Sequence, residues 1–293
     1  MIRRVLVVYK KDAYRQYLQE QQDAHLLRLL HKRHPDVVDM QRAHAVQEEA
    51  LEAVVHTLRK LGVVFDLVYR ADVKPTERYG LVIAVGGDGT FLQAARNVTR
   101  TPLLGVNSDP RRSEAAFCAA TARTFPRLCR LALTGRLPRR SLFRLQVRLN
   151  GRRLPVRALN DVLVVHDDPA TMSRYRLAIG ARQELHKSSG LWVSTAAGSS
   201  SAVLAAGGVR LPWGARTFRY RPRELYRGRL SRYHLTGSVL ASSQAVRVTW
   251  LMRRGSVFVD GPHVKIPLRF ADRLEIRLAT AFPLQVLGLS RKQ

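Results

Sequence analysis

The stretch Leu81-Val82-Ile83-Ala84-Val85-Gly86-Gly87-Asp88-Gly89-Thr90-Phe91-Leu92-Gln93-Ala94-Ala95-Arg96 leaves the chain few ways to fold. Its first five residues are apolar without alternation, the pattern of a short strand buried on both faces. Its last six open a helix. The turn between them holds Gly86, Gly87 and Gly89 around one carboxylate, Asp88. Glycines let a backbone come close to a ligand and turn its N–H groups toward it, and the helix start adds a positive dipole end. Such a turn suits phosphate. A lone acid planted there has the chemistry of an acceptor for a hydroxyl proton in phosphoryl transfer. The competing reading is an ordinary strand-to-helix turn with Asp88 as its N-cap.

Around this unit the first 110 residues alternate strand and helix. Strands are expected at Val5–Tyr9, Val63–Tyr69, Leu81–Val85 and Pro102–Asn107. A polar stretch from Ala13 to Gln47 reads as helical and broken near Pro35. Leu51, Val54, Val55 and Leu58 continue at helical spacing to a stop at Gly62. Strands joined by helices imply right-handed crossovers and a parallel sheet, with ligands beyond the carboxyl ends of its strands, where Asp88 and Asn107 fall.

Near residues 135–142 the pattern changes. Phe143, Leu145, Val147 and Leu149 alternate with polar residues, and Asn150-Gly151 is a hairpin signal. Further strands are expected at Asp161–His166, Arg174–Ile179, Leu191–Thr195, Val246–Met252, Ser256–Asp260 and Leu274–Leu278. A short helix is expected over Ser199–Ala206, and Pro212–Arg232 reads as a long loop. The fold class that follows is an α/β N-terminal domain with a parallel sheet, residues 1–138, followed by a mostly antiparallel β C-terminal domain, residues 139–293. The C-terminal segment is a candidate to pack back on the first domain.

Composition narrows the class further. The chain has 293 residues, 46% hydrophobic and 25% charged, which is globular. No apolar run reaches the length of a membrane span. The N-terminal run Met1–Tyr9 is too short for a signal peptide and lacks a cleavage site, which points to a cytoplasmic protein with no membrane partner. Cys118 and Cys129 read as buried free thiols, and His31 and His34 as surface residues of a helix rather than metal ligands. With 50 Lys and Arg against 22 Asp and Glu, the formal charge is +28. Such a field favours anionic partners. No nucleic-acid-binding module accompanies it, so no specific nucleic-acid partner is expected.

Four segments of chemistry accompany the glycine turn. Asn160-Asp161 sets an amide beside a carboxylate at a strand entry, able to hold ribose hydroxyls or to form an Asx turn. Lys187-Ser188-Ser189-Gly190 leads through a strand into Thr195-Ala196-Ala197-Gly198-Ser199-Ser200-Ser201-Ala202, a small-residue turn suited to a nucleotide or to a plain helix cap. Asp260-Gly261 closes a later strand. Asn107-Ser108-Asp109-Pro110-Arg111-Arg112 follows a strand end and offers two arginines for phosphate.

Glycine-glycine-aspartate-glycine-threonine loops occur in NAD kinases, in diacylglycerol and sphingosine kinases and in phosphofructokinases. Taken together, Gly86 to Thr90, Leu159-Asn160-Asp161, Ser194 to Ala202 and Asp260-Gly261 resemble the NAD kinase family in order and rough spacing. The segments from Gly105 to Glu114, Pro155 to Asn160 and Lys187 to Leu191 are similar to its mitochondrial-type branch. The sequence departs from the family at Asp161 (Glu there), at Ser189 (an acid in the common family), at Ala197 (Thr) and at Ala202 (Tyr).

The resemblance implies ATP-dependent phosphorylation of the 2′-hydroxyl on the adenosine ribose of NAD. It assigns Asp88 as catalytic and Gly86, Gly87, Gly89 and Thr90 to phosphate. Asn160, Asp161, Ser189, Thr195, Ala197, Gly198, Ser199, Ser200, Ser201 and Ala202 go to NAD. Asn107, Arg111, Arg112, Lys187 and Asp260 are further candidates. Magnesium is expected on the ATP phosphates, with no dedicated metal site, and the family implies a homo-oligomer. Two other readings share parts of the pattern: a diacylglycerol-type lipid kinase with the same loop, and a nucleotide- or nucleic-acid-binding module without catalysis.

Overall fold

The computed structural model describes residues 2, 4–229 and 231–289. Met1, Arg3 and Leu230, which belong to segments read above, lie outside the described residues, as does everything from Ser290. The chain divides into two compact units, one reaching to Arg140 and resuming at Gln285, the other running from Ser141 to Leu284.

The first unit is α/β. Its strands are β1 (Arg4–Tyr9), β2 (Val64–Tyr69), β3 (Leu81–Gly86), β4 (Leu103–Asn107) and β5 (Cys118–Thr121), and its helices are α1 (Ala24–His31), α2 (Pro35–Lys60), α3 (Asp88–Arg96) and α4 (Phe125–Leu133). A π-helical turn over Tyr14–Glu20 precedes α1. All strand pairs are parallel: β1 lies between β2 and β3, and β4 lies between β3 and β5. The break near Pro35 is present, with Pro35 opening α2 where its missing N–H costs nothing. His31 ends α1 and His34 caps α2, both exposed. Val54 and Leu58 of α2 and Phe125 of α4 pack on Val5, Val7, Ile83 and Val106 of the sheet.

The second unit is a β sandwich. Its strands are β6 (Arg139–Leu149), β7 (Arg152–Ala158), β8 (Asp161–Val165), β9 (Ser173–Ile179), β10 (Arg182–Ser188), β11 (Leu191–Thr195), β12 (Thr217–Pro222), β13 (Ser238–Ala241), β14 (Val246–Trp250), β15 (Gly255–Val259), β16 (Lys265–Leu268) and β17 (Arg273–Leu287). One sheet runs β10-β9-β14-β17, with the β6–β7 hairpin paired to β17, and the other runs β13-β12-β11-β8-β15-β16. Leu177, Val246 and Ile276 from the first meet Val162, Val193, Tyr220 and Val257 from the second in one apolar core. Beyond Leu284, β17 belongs to the first unit, where Val286 pairs with Leu103.

Three expectations are corrected. Pro212–Arg232 is not a continuous loop, because β12 lies inside it with Phe218 and Tyr220 buried. Its arginines hid the strand: Arg221 donates to Ala206 O at 2.9 Å and to Thr236 O at 3.1 Å, and Arg219 caps Val209 O. The helix expected over Ser199–Ala206 divides into a 3₁₀ turn at Ala197–Ser200 and α5 (Ala202–Ala205). Of the two thiols, Cys129 is buried but Cys118 is only partly so. No helix among the described residues is long and apolar enough to cross a membrane.

Candidate active site

In the first unit, β3 delivers the chain to Gly86, whose φ of +156° is open to glycine. A Cβ there would run into Thr90 Oγ1. Gly87 is the N-cap of α3 with an extended backbone, and Asp88 is the first helical residue rather than the cap. Asp88 and Gly89 supply opening N–H groups of a helix, which have no intrahelical acceptors and favour an anion.

The Asp88 side chain is held from a distant part of the chain. Its Oδ2 accepts from Ala116 N at 3.0 Å and its Oδ1 from Phe117 N at 2.9 Å. Phe117 stacks on Phe91 of α3, centroids 5.2 Å apart and 8° from parallel, which pins the 115–117 turn over the helix start. Gly105 allows this approach, since a Cβ there would lie 2.7 Å from Phe117 O. Burial pushes the Asp88 carboxyl above the usual carboxylate range; the two amides oppose that and Glu114 adds to it. A carboxylate raised in pKa yet held ionised by two donors is a proton acceptor.

Thr90 and Asn107 face inward. Thr90 is 1% exposed, and its hydroxyl has no partner among the described residues. Asn107 shapes the loop after β4 by donating to Ser113 O at 2.7 Å and accepting from Asp109 N at 3.1 Å. Arg112 pairs with Asp39 of α2, while Arg111 is exposed. Lys10, at the end of β1, was not picked out from the sequence, since an isolated Lys after a strand carries no pattern. Burial lowers its pKa, and Asp12, Arg70 and Asp109 are its charged neighbours.

In the second unit a buried acid organises the Asn-Asp pair. Asp260 Oδ1 accepts from Asn160 N at 2.7 Å and Asp161 N at 3.1 Å, and Oδ2 accepts from Leu159 N at 2.8 Å. The small-residue turn docks on the same backbone. Thr195 Oγ1 donates to Leu159 O at 2.6 Å and accepts from Gly198 N at 3.0 Å. Gly198 sits so close that a Cβ would overlap Asn160 O. Asn160 Nδ2 donates to Ser201 Oγ at 3.1 Å. Ser199 is turned inward, with its Oγ bonded to Ala196 O and Leu211 N. Ala197 is buried as well. Asn160, Ser200, Ser201 and Ala202 therefore carry the accessible face, while Thr195, Ala197, Gly198 and Ser199 build it from beneath.

Asp161 is buried and faces the charge of Asp260. Burial, then that charge, push its carboxyl up to about 7. Ser189 is half-buried, its hydroxyl toward Met172 Sδ at 3.8 Å. Lys187 lies over the Tyr226 ring at 4.3 Å.

Both oxygens of Asp88 are engaged by amides, and those of Asp260 by three more. Asp12, His44 and Glu48 form the one cluster of three potential ligands among the described residues, and there His44 Nδ1 already lies 2.8 Å from Asp12 Oδ2.

The ATP-NAD kinase N-terminal domain model matches residues 4–110. Over 254 residues the chain is 36% identical to a probable NADH kinase of Oryza sativa subsp. japonica, spanning 79% of this chain and 78% of that one. Over 251 residues it is 28% identical to the human protein NAD kinase 2, mitochondrial, spanning 68% of this chain and 56% of that one. The solved structure of an NAD kinase from Archaeoglobus fulgidus in complex with ATP superposes with a TM-score of 0.69 at 20% identity, covering 97% of this chain and 93% of that one, a likeness of fold. An acid held at a glycine-rich helix start and a second acid clamping the Asn-Asp backbone thus sit in a chain whose sequence relationship runs over most of its length, and it belongs to the NAD kinase family.

Proposed function

We propose that this protein transfers the γ-phosphoryl group of ATP to the 2′-hydroxyl on the adenosine ribose of NAD, giving NADP and ADP. The observation that carries the reading is the Asp88 carboxylate, half-buried, aimed by two backbone amides and planted at the opening of α3. In the reaction the 2′-hydroxyl proton passes to Asp88 as the oxygen attacks the γ-phosphorus. The bond from that phosphorus to the β,γ-bridging oxygen breaks, and ADP leaves. Gly86, Gly87 and Gly89 cradle phosphate through backbone N–H groups. Asn160 orients NAD, with Asp161, Ser200, Ser201 and Ala202 beside it. Magnesium enters as part of the ATP substrate, consistent with carboxylates already committed to backbone amides.

NADH is the competing acceptor, favoured by the name of the Oryza sativa relative. We place the enzyme outside the membrane and as a homo-oligomer. The test is NADP formation from NAD, ATP and magnesium, read through an NADP-specific dehydrogenase, beside NADPH formation from NADH. Turnover with either acceptor that disappears in Asp88→Asn supports the mechanism, and their ratio assigns the preferred acceptor. A fully active Asp88→Asn enzyme removes Asp88 from it.

A further inference from the structure

The outward face of the β10-β9-β14-β17 sheet carries charge that the proposed reaction does not use. The strand registers align two rows across it. One row is Leu185, Arg176, Thr249 and Arg273, and the next is Gln183, Ala178, Arg247 and Glu275. The intervening residues, Leu177, Val248 and Leu274, point into the core, so the members of both rows share the outer face. The β6–β7 hairpin rises at one side. Asn150 accepts from Arg273 N at 2.8 Å and donates its own N–H to Arg273 O at 2.8 Å, which brings Arg148 and Gly151 beside the rows. The result is a cavity of about 470 Å³ lined by Arg148, Arg176, Arg247 and Arg273 around Thr249. That volume lies in the range of roughly 300–1,000 Å³ typical of small-ligand sites.

The single carboxylate there is already neutralised. Glu275 accepts from Arg247 Nε at 3.2 Å and from Arg277 Nε at 2.8 Å. Arg148, Arg176 and Arg273 have no carboxylate partner among the described residues. Three guanidinium groups without a carboxylate partner line one concavity, and an anion with several charged oxygens can pair with more than one of them. A second copy of the chain is disfavoured, since a two-fold contact would set these arginines against themselves. Single-stranded nucleic acid is disfavoured too, because neither row holds an aromatic ring on which a base could stack.

We propose that this cavity binds a short oligophosphate, the shared chemistry of a free inorganic chain and of a nucleotide's phosphate tail. It is a site separate from the Asn160 and Thr195 face of the second unit. Its members come from the sheet of β9, β14 and β17, whereas Asn160 and Thr195 stand on the opposite sheet of the second unit.

The probe is inorganic tripolyphosphate, titrated into the full-length protein by calorimetry at about 150 mM salt, where surface fields are screened within about 8 Å. Arg176→Gln/Arg273→Gln is expected to weaken binding about 10-fold or more. Arg148→Gln, on the exposed hairpin, provides a second variant with little risk to folding. The control is Arg123→Gln/Arg127→Gln, two exposed residues of the first unit that remove the same charge elsewhere. Displacement of tripolyphosphate by a non-hydrolysable guanosine triphosphate extends the site to nucleotide tails, and its absence restricts it to free chains. Equal weakening in the control and the cavity variants, or no binding beyond the kinase site, overturns the proposal.

Discussion

The Oδ1 atom of Asp260 receives the backbone N–H of Asn160 at 2.7 Å, across a hundred residues of sequence. The same carboxylate takes the amides of Leu159 and Asp161, so three consecutive residues are held by one buried acid. Asp260 itself adopts φ +49°, a left-handed backbone placed beside Gly261. The late Asp-Gly pair thus acts by shaping the Asn-Asp backbone.

Replacing Asp260 by Asn keeps the size and leaves one of the three amides facing an NH₂ donor. Loss of a buried charge-assisted hydrogen bond costs about 3 kcal/mol. The expected outcome is a lower melting temperature together with a KM for NAD raised about 10-fold, since Asn160 loses its register. Thermal unfolding and steady-state kinetics on one preparation check it; unchanged KM in a destabilised protein confines Asp260 to stability.

Asp161→Asn is expected to stabilise the protein at neutral pH. The folded carboxyl is raised to about 7 from an ordinary value of 3.8, so the fold binds its proton more tightly than the unfolded chain does. Its favourable contribution is fully present below about pH 4 and is lost as pH rises to 7. Melting temperatures measured from pH 4 to 8 should converge for the two proteins at the acid end, with the variant higher at pH 8.

Thr90→Val tests whether the last residue of the glycine turn touches phosphate. Its hydroxyl is buried against Gly86 with no partner among the described residues, so an isosteric methyl should leave stability equal or slightly higher. KM for ATP is expected to change less than about 3-fold, a packing role rather than a binding one. A larger rise assigns the hydroxyl to ATP.

Turnover should fall at low pH with an apparent pKa above that of an ordinary aspartate, because the base must be ionised and burial raises Asp88. Asp88→Asn is expected to lower kcat about 100-fold or more and to abolish that acid limb. The pH profile of the residual activity checks this: an acid limb surviving in the variant belongs to another group.

Much of the candidate site could be picked out because its residues sit in short, contiguous runs. Gly86 to Thr90 follows an all-apolar strand, and a strand, a turn and a helix start can be read from one another at that spacing. The small-residue turn from Thr195 to Ala202 stood out for a similar reason, although its side chains divide between a buried scaffold and an accessible rim that no periodicity separates. The strand Thr217–Pro222 was missed because its arginines resemble those of an exposed loop, when they in fact cap carbonyls of neighbouring segments. The strands Arg152–Ala158 and Arg182–Ser188 were missed as well, since polar residues on a strand facing solvent leave half the pattern blank.

The sequence by itself determined the βα turn and the parallel and antiparallel halves, and it singled out Asp88 as the candidate base. These follow from local hydrophobic periodicity and from the few residues able to occupy a phosphate-binding turn. Only the tertiary structure decided what aims those residues. The Ala116 and Phe117 amides on Asp88, the Asp260 clamp on Asn160 and the row of arginines across the sheet join positions 28 to 100 residues apart. A contact of that range depends on which strands become neighbours, and the sheet's pairing, set by the core as a whole, decides it.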